Sequence, residues 1–288
     1  MGEITDALRR AQENRPAGDG EKPDREPPVV ASPRMRSRGD RFAPLSASAQ
    51  QFELSEDRDA GFAARSAAID RGGPIAESCR HLALRVRSEL DRRRLRSVAI
   101  VGPLRNEGKT TLACDLALAL ASVSKLREVA LVDLDLRRPS IAHVLGADVK
   151  HGIDEHLRGE VSLADVRFSI ERPALDVFPV RKPQPSAHEL LVGPALGRLL
   201  EELEQTYTTV IFDTPPALLV PDVSLILRHV GAYAVVARVG KTRKRAFRHM
   251  MSLLPKDQLI GGILNEGPLP THAHHYGYYA DEESPDGR

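Results

Sequence analysis

The segment spanning residues 98–111 constrains the fold more than any other part of this 288-residue chain. A β-branched run, Val98–Val101, leads into Gly102, and a Gly-Lys-Thr sequence follows at residues 108–110. Apolar residues then recur at helical spacing over residues 111–121. A strand, a glycine-bounded loop and a helix in this order are typical of a loop that directs backbone N–H groups and a helix N-terminus at one phosphate group.

The loop departs from the strict phosphate-loop pattern by one residue. Five residues separate Gly102 from Gly108 where the pattern has four, and Pro103 occupies the position of the first glycine. In a loop of this kind Lys109 reaches the β and γ phosphates of a nucleotide, and the Thr110 hydroxyl binds magnesium. The alternative is a chance Gly-Lys-Thr turn, which the strand before it and the helix after it disfavour.

Composition narrows the classes of partner. Lys and Arg (41) nearly balance Asp and Glu (40), so the overall charge does not favour a nucleic-acid partner.

The two cysteines, Cys79 and Cys114, lack metal-binding spacing and are interpreted as free thiols in a reducing cytoplasm. The sequence has no apolar run of spanning length and no signal-peptide core, which predicts a cytoplasmic protein.

The pattern divides the chain into three parts. Residues 1–73 contain a short amphipathic helix over residues 3–12, followed by a segment rich in Pro, Gly, Ser and charge that is typical of a disordered linker. Residues 74–265 alternate between apolar runs and helical periodicity and form the predicted nucleotide-binding domain. Residues 266–288 lose this periodicity and form a flexible tail that contains three of the five tyrosines.

The alternation within the domain predicts an α/β fold with a mostly parallel sheet and helices on both faces. After the first strand, strands are predicted at residues 128–133, 175–180, 209–213, 233–239 and 259–264, and helices at 75–90, 111–121, 195–205 and 244–254, with a further helix opened by a capping box from Ser186 to Glu189. Ligands of such sheets bind beyond the carboxyl ends of the strands, where Gly102, Asp133, Asp213 and Asn265 all fall.

The aspartates at these strand ends suit phosphoryl transfer. Thr110 together with Asp133 or Asp213 can hold magnesium, directly or through water. Asp135 lies on the same side of the extended segment as Asp133 and is a candidate to approach an incoming hydroxyl group. The alternative, that each aspartate only caps its strand, explains a single carboxylate better than two strand ends beside a phosphate loop.

At four motifs the sequence resembles the bacterial tyrosine kinases of capsule and exopolysaccharide synthesis, over roughly residues 74–279. The family's Walker A motif corresponds to residues 102–111, its Walker A′ motif to 131–139 and its Walker B motif to 213–216. The C-terminal tyrosine cluster of the family appears in shortened form as Tyr276, Tyr278 and Tyr279. The resemblance implies a P-loop NTPase core of the MinD/ParA type.

The resemblance also implies roles for individual residues. Nucleotide contacts are expected from Gly102, Asn106, Glu107, Gly108, Lys109, Thr110, Thr111 and Asn265; catalytic roles from Lys109, Asp133 and Asp135; magnesium ligation from Thr110, Asp133 and Asp213; and phosphate acceptance from Tyr276, Tyr278 and Tyr279. Glu77 and Arg80 match the first half of the family's Glu-x-x-Arg-x-x-Arg oligomer contact, whose third position is Ala83 here.

The implied function is an ATP- and Mg²⁺-dependent protein-tyrosine autokinase that regulates polysaccharide polymerisation and export. The implied partners are a separate membrane-spanning chain-length regulator, a tyrosine phosphatase and further copies of the chain, with the protein held at the inner face of the cell membrane. Two alternatives stay open. One is a non-catalytic ATP-binding scaffold, and the other is a ParA/MinD-type ATPase, whose signature lysine is replaced here by Leu104.

Overall fold

The computed structural model describes residues 73–124 and 128–267. The predicted helix over residues 3–12, the linker and the three tail tyrosines lie outside these ranges, so the domain limits at residues 74 and 265 stay predictions. The helices are α1 (Pro74–Arg93), α2 (Lys109–Val123), α3 (Ile141–Leu145), α4 (Ile153–Leu157), α5 (Leu163–Val166), α6 (Ala187–Val192), α7 (Pro194–Thr206), α8 (Asp222–Ile226) and α9 (Lys244–Leu253), and a 3₁₀ turn covers Lys256–Gln258. The strands are β1 (Ser97–Val101), β2 (Val129–Asp133), β3 (Phe168–Ile170), β4 (Leu175–Phe178), β5 (Thr209–Asp213), β6 (Tyr233–Arg238) and β7 (Leu259–Asn265).

The seven strands form one sheet in the order β3-β4-β2-β5-β1-β6-β7. All neighbours are parallel except β3, which runs antiparallel to β4 at the edge. Strand β5 lies between β1 and β2, so Asp213 pairs in register with Ile100 on one side and with Asp133 on the other. The carboxyl ends of three strands therefore meet at one point of the sheet edge.

Both faces of the sheet are covered. In β1, Val98 and Ile100 join an apolar cluster with α1, α2 and α3, while Ala99 and Val101 join a second cluster with α4 to α9. Strands that are buried on both faces need continuous apolar runs, and this explains why β1, β2 and β5 show no polar alternation. The predicted fold class, a mostly parallel sheet between layers of helices, is confirmed.

Several short elements were not predicted. Helices α3, α4, α5 and α8 have four or five residues each, too few to display a helical period. The three-residue β3 was missed for the same reason. The predicted capping box at Ser186 is wrong, because the Ser186 side chain makes no capping hydrogen bond. A capping box forms instead at Ser162, whose hydroxyl accepts a hydrogen bond from the backbone N–H of Asp165.

No helix among residues 73–124 and 128–267 combines the length and the apolar character needed to cross a bilayer.

Leucines on α7 and α9 allow a matched test of the core. Leu203 is fully buried in the cluster beneath β5, whereas Leu253 is 57% exposed. Replacing Leu203 by Ala removes buried apolar surface and leaves a cavity, so we expect the free energy of unfolding to fall by about 2–5 kcal/mol. Leu253→Ala should change it by less than about 0.5 kcal/mol. Denaturant titration of both variants measures the difference, and equal losses would contradict this account of the core.

Candidate active site

The loop between β1 and α2 has the backbone conformation of a tight phosphate loop. Gly108 adopts a left-handed conformation with φ of 90°, and a Cβ atom there would lie 2.1 Å from Nδ2 of Asn265. Any other residue would therefore be strained and would clash. Asn106 is also left-handed, with φ of 59°. The glycine that the motif requires is thus needed for a local physical reason.

A buried carboxylate braces this loop from behind. The Glu107 side chain is 1% exposed, and its Oε2 accepts a hydrogen bond from the backbone N–H of Leu104 at 3.0 Å. Its Oε1 accepts from the Thr242 hydroxyl at 2.8 Å, and that hydroxyl accepts from the backbone N–H of Arg238 at 2.8 Å. The Asn265 amide donates to the Glu107 carbonyl at 3.0 Å. The ends of β6 and β7 therefore hold the loop in shape.

Lys109 lies at the first position of α2 and is buried. Its Nζ donates a hydrogen bond to the Leu104 carbonyl at 2.8 Å, across the loop. Burial lowers the pKa of Lys109, and the nearby carboxylates Asp213, Glu107 and Asp135 oppose that change. The positive charge is thus held at the loop by neighbouring negative charge and by the loop's own carbonyl.

Asp133, at the end of β2, is fully buried and bound by the backbone that follows it. Its Oδ2 accepts hydrogen bonds from the N–H groups of Ser140 and Ile141, each at 3.1 Å, and its Oδ1 accepts from Asp135 N–H at 3.1 Å. Burial, together with the charge of Asp213, raises the pKa of Asp133 well above its ordinary value. Asp133 therefore folds the segment that carries Asp135 and starts α3.

Asp213, at the end of β5, uses only one of its two carboxylate oxygens in hydrogen bonds to the described residues. Its Oδ2 accepts a hydrogen bond from the Thr110 hydroxyl at 2.6 Å, while its buried Oδ1 has no partner among the described residues. Burial raises the pKa of Asp213 to about 7, against the opposing effect of the Thr110 hydrogen bond. A buried carboxylate oxygen without a partner is unfavourable and suits a cation or its bound water.

The oxygen atoms of Thr110 and Asp213 fit magnesium. The described residues contain no group of three or more His, Cys, Asp or Glu side chains arranged to hold a metal. Magnesium does not require such a group, since one or two carboxylates complete its octahedron together with waters and nucleotide phosphates.

A cavity of about 390 Å³ opens at this edge of the sheet. It is lined by Arg105, Asn106, Gly108, Lys109, Thr110, Thr111, Asp135, Arg137, Arg138, Ser140, Val144, Pro215, Pro216, Leu219 and Val220. Of the predicted site residues, the cavity brings together six: Asn106, Gly108, Lys109, Thr110, Thr111 and Asp135. The other predicted nucleotide and metal contacts do not line it: Gly102, Glu107, Asp133, Asp213 and Asn265. Four basic side chains against one acidic one favour a polyanionic ligand.

Sequence reasoning missed several residues that build the site. The Arg137 guanidinium binds buried Asp222 at 2.8 Å and the Pro185 carbonyl at 2.8 Å, which ties the segment after β2 to α8. Thr242 and Arg238 brace Glu107 from the end of β6. Their signal was positional, because Arg238 ends a strand and Arg137 and Thr242 follow strands whose carboxyl ends share this edge. A single threonine or arginine at such a position is too common to stand out.

The predicted oligomer contact lies on α1, away from the loop in sequence. Arg80 Nη1 is 3.6 Å from Glu77 Oε2, and Glu77 Oε1 is 3.1 Å from Nε2 of His81, so these charges interact within the helix. The Glu77 side chain is half exposed. The role of Glu77 and Arg80 between subunits stays a prediction, as do the roles of the tail tyrosines, which lie outside the described residues.

A parallel sheet with a glycine-bounded phosphate loop after its first strand, and carboxylates at the two neighbouring strand ends, defines a P-loop NTPase. No family model matches the chain. Among known proteins, it is 31% identical over 194 residues to the tyrosine-protein kinase YwqD of Bacillus subtilis, covering 67% of this chain and 81% of that protein. The chain therefore belongs to the bacterial tyrosine-protein kinase family.

Other comparisons agree. The tyrosine-protein kinase ptk of Acinetobacter johnsonii is 31% identical over 202 residues, which cover 69% of this chain and only 27% of that longer protein. The solved kinase domain of the Escherichia coli tyrosine kinase ETK is 31% identical, with a TM-score of 0.55 over 59% of this chain and 67% of that one. The family predicted from the sequence is confirmed.

The raised pKa of Asp213 predicts a pH-dependent stability. An unfolded aspartate titrates near pH 4, so between about pH 4 and pH 7 the folded chain keeps a proton that the unfolded chain has released. The stability from this group is therefore lost as the pH rises through 7, by on the order of 1 kcal/mol between about pH 6 and pH 8. In EDTA without nucleotide, the melting temperature of Asp213→Asn should fall less over this range than that of the wild type. The exposed control Asp148→Asn should match the wild type, and equal slopes for all three would refute the assignment.

Proposed function

We propose that this protein is an ATP- and Mg²⁺-dependent protein-tyrosine autokinase that modifies the tyrosines of its own C-terminal tail. The observation that carries the proposal is that Lys109, Thr110 and Asp135 line one basic cavity, while the Thr110 hydroxyl also donates a hydrogen bond to Asp213. Phosphoryl transfer asks a protein mainly for positioned charge and a metal clamp, and these groups supply both. The membership of a tyrosine kinase family supports the choice of acceptor.

Each residue has a part that follows from its surroundings. The loop amides and the ammonium group of Lys109 would bind the phosphates, since both present positive charge at the cavity. Thr110 and Asp213 would hold magnesium, which neutralises the charge that develops on the phosphate oxygens when it is bound. Asp133 would position its neighbours through the three backbone amides it binds, and it does not line the cavity.

Asp135 would receive the tyrosine proton. It lines the cavity, and its Oδ1 accepts a hydrogen bond from the backbone N–H of Arg138 at 3.0 Å, which orients the side chain. Burial raises the pKa of Asp135 above its ordinary value. A more basic carboxylate is a better acceptor for a hydroxyl proton at neutral pH.

The wider setting of the kinase rests on the four motifs shared with the family. We propose that the substrate system is capsular or exopolysaccharide synthesis, with a separate membrane-spanning chain-length regulator and a tyrosine phosphatase as partners. The protein would work in the cytoplasm, held by its partner at the inner face of the membrane. Copies of the chain would associate through α1, where Glu77 and Arg80 match half of the family's oligomer motif.

Replacing Lys109 by Met tests the phosphate-binding role. The variant loses the charge at the loop, so autophosphorylation with ATP and Mg²⁺ should fall by at least about 100-fold, as for removal of one transition-state contact. Lys256→Met changes an exposed lysine outside the cavity and should behave like the wild type. Phosphotyrosine is measured with radiolabelled ATP, and nucleotide binding is measured separately. Near-normal turnover of Lys109→Met would refute the site, and ATP binding without phosphotyrosine in the wild type would favour a non-catalytic scaffold.

The acceptor tyrosines are tested by changing Tyr276, Tyr278 and Tyr279 together to Phe. The remaining tyrosines, Tyr207 and Tyr233, are buried in the core at 1% and 0% exposure and are therefore inaccessible to a second active site. The triple variant should lose most phosphotyrosine while it binds ATP with unchanged affinity, as mass-spectrometric mapping and titration would show. Label on Tyr207 or Tyr233 in the folded variant would contradict the assignment of the tail as acceptor.

A further inference from the structure

Helix α9 and the turn before it carry an exposed basic surface that the proposed chemistry does not use. The basic surface of α9 consists of Lys241, Arg243, Lys244, Arg245, Arg248 and His249, all of them exposed. The sequence has no Asp or Glu between Asp222 and Asp257, so this segment carries no acidic side chain of its own. The nearly neutral chain thus concentrates positive charge in one short stretch.

The fold points these side chains outward. Phe247 and Met250 fix the inner face of α9, because both are buried in the core. Lys244 and Arg248 are four residues apart, and so are Arg245 and His249, so the side chains stack in two adjacent rows on the helix. Lys244 and Arg248 carry like charges, and like charges at this spacing repel each other and destabilise a helix.

The charges of α9 also oppose its dipole. Positive side chains are favourable at a helix C-terminus and unfavourable at the N-terminus. In α9 the first turn is basic and contains no acidic residue, the last turn contains no basic residue, and Arg243 provides no side-chain cap. Both the row repulsion and the dipole cost would be relieved by negative charge bound over the first two turns.

The chain contains a segment of complementary charge that starts beside this surface. Glu266, the last residue but one that the structure describes, pairs with Arg238 at 2.5 Å, three residues before Lys241. Beyond it, residues 268–288 contain four acidic residues, Asp281, Glu282, Glu283 and Asp286, a single arginine, Arg288, no lysine and three histidines. About 14 residues separate Gly267 from Asp281 and span up to roughly 45 Å when extended, whereas α9 is about 15 Å long.

We propose that the basic surface of α9 is the docking site for the acidic segment 281–286 of this chain. Charge complementarity, the departure of the tail next to the helix and its sufficient length all favour this occupant. Docking would hold Tyr276, Tyr278 and Tyr279 within a few residues of α9. Phosphate on those tyrosines would add negative charge and tighten the contact, a step that rests on the proposed kinase function, whereas docking of the carboxylates does not.

Zero-length carbodiimide cross-linking of the full, phosphatase-treated chain tests the contact, since it joins a carboxylate to an amine only when they touch. Mass spectrometry should find Lys241 or Lys244 joined to Asp281, Glu282 or Glu283, with a lower yield at about 0.5 M salt because exposed charges are screened. Arg245→Glu with Arg248→Glu leaves both lysines in place and should reduce the yield at least about fivefold, since it reverses two of the positive charges on the same helix. Mixing ¹⁴N- and ¹⁵N-labelled chains shows whether the tail binds its own subunit or a neighbour, and either result supports docking.

Exchanging the charges of α9 and the tail distinguishes docking through ion pairs from cross-linking that reflects only the nearness of the two segments. Adding Glu282→Lys and Glu283→Lys to the Arg245→Glu, Arg248→Glu chain should restore cross-links with exchanged partners, now between the carboxylates introduced on α9 and the amines introduced in the tail. The control Arg198→Glu with Arg228→Glu reverses two exposed charges outside α9 and should leave the yield unchanged. Melting temperatures confirm that each chain is folded.

The proposal is overturned if the wild type gives no such cross-links, if the yield is insensitive to the α9 reversal, or if α9 binds phosphatidylserine vesicles while the tail stays uncross-linked. If the docking cross-links are absent while autophosphorylation is intact, the docking proposal is wrong and the proposed kinase function is unaffected.

Discussion

Two carboxylates buried side by side at the ends of β2 and β5 are the constraint on which the rest of the site depends. Asp133 and Asp213 pair in register and are each fully buried, so both charges together are unfavourable without compensation. Asp133 is compensated by three backbone amides, which fix the segment leading to Asp135. Asp213 has one hydroxyl partner and an oxygen left over among the described residues. At this edge of the sheet, the Asp133 carboxylate is held by hydrogen bonds, whereas the Asp213 carboxylate has an oxygen that could bind a cation.

The phosphate loop carries one residue more than the strict pattern, and its hydrogen bonds show how this is accommodated. The backbone N–H of Leu104 donates to the Glu107 carboxylate, and the Leu104 carbonyl accepts from Lys109. Both polar groups of that residue are therefore satisfied inside the loop. The Glu107 carboxylate that makes this possible is itself held by Thr242. An acidic residue in the loop, unexpected for a site that binds phosphate, works here as an internal brace.

Sequence reasoning predicted the elements whose signal is long or chemically marked. Strands β1, β2 and β5 are continuous apolar runs ending at glycine or aspartate, and α2 and α7 are long enough to show a period. What it did not predict is the spatial order that inserts β5 between β1 and β2, because an alternating pattern is compatible with many orders of parallel strands. The adjacency of Asp133 and Asp213 depends on that order. The sequence analysis placed both carboxylates at the carboxyl edge of the sheet, beside the phosphate loop, but it did not predict that they pair directly.

Arg238 and Thr242, which hold the phosphate loop, could not be predicted from the sequence for a different reason. Each contacts a loop residue that is far away in the chain, at a separation of 132 positions for Arg238 and 135 positions for Thr242. Arg238 is the clearest case. Its Nη1 donates to the Asn106 carbonyl of the phosphate loop at 3.1 Å, and its Nε donates to Glu266, where the tail begins, at 2.6 Å. The side chain is about one third exposed, so the ion pair adds little stability. Its role is instead to hold two segments in place. The same guanidinium binds the left-handed turn of the phosphate loop on one side and Glu266, where the tail begins, on the other. The position of the binding site and the starting point of its proposed substrate segment are therefore set by one side chain.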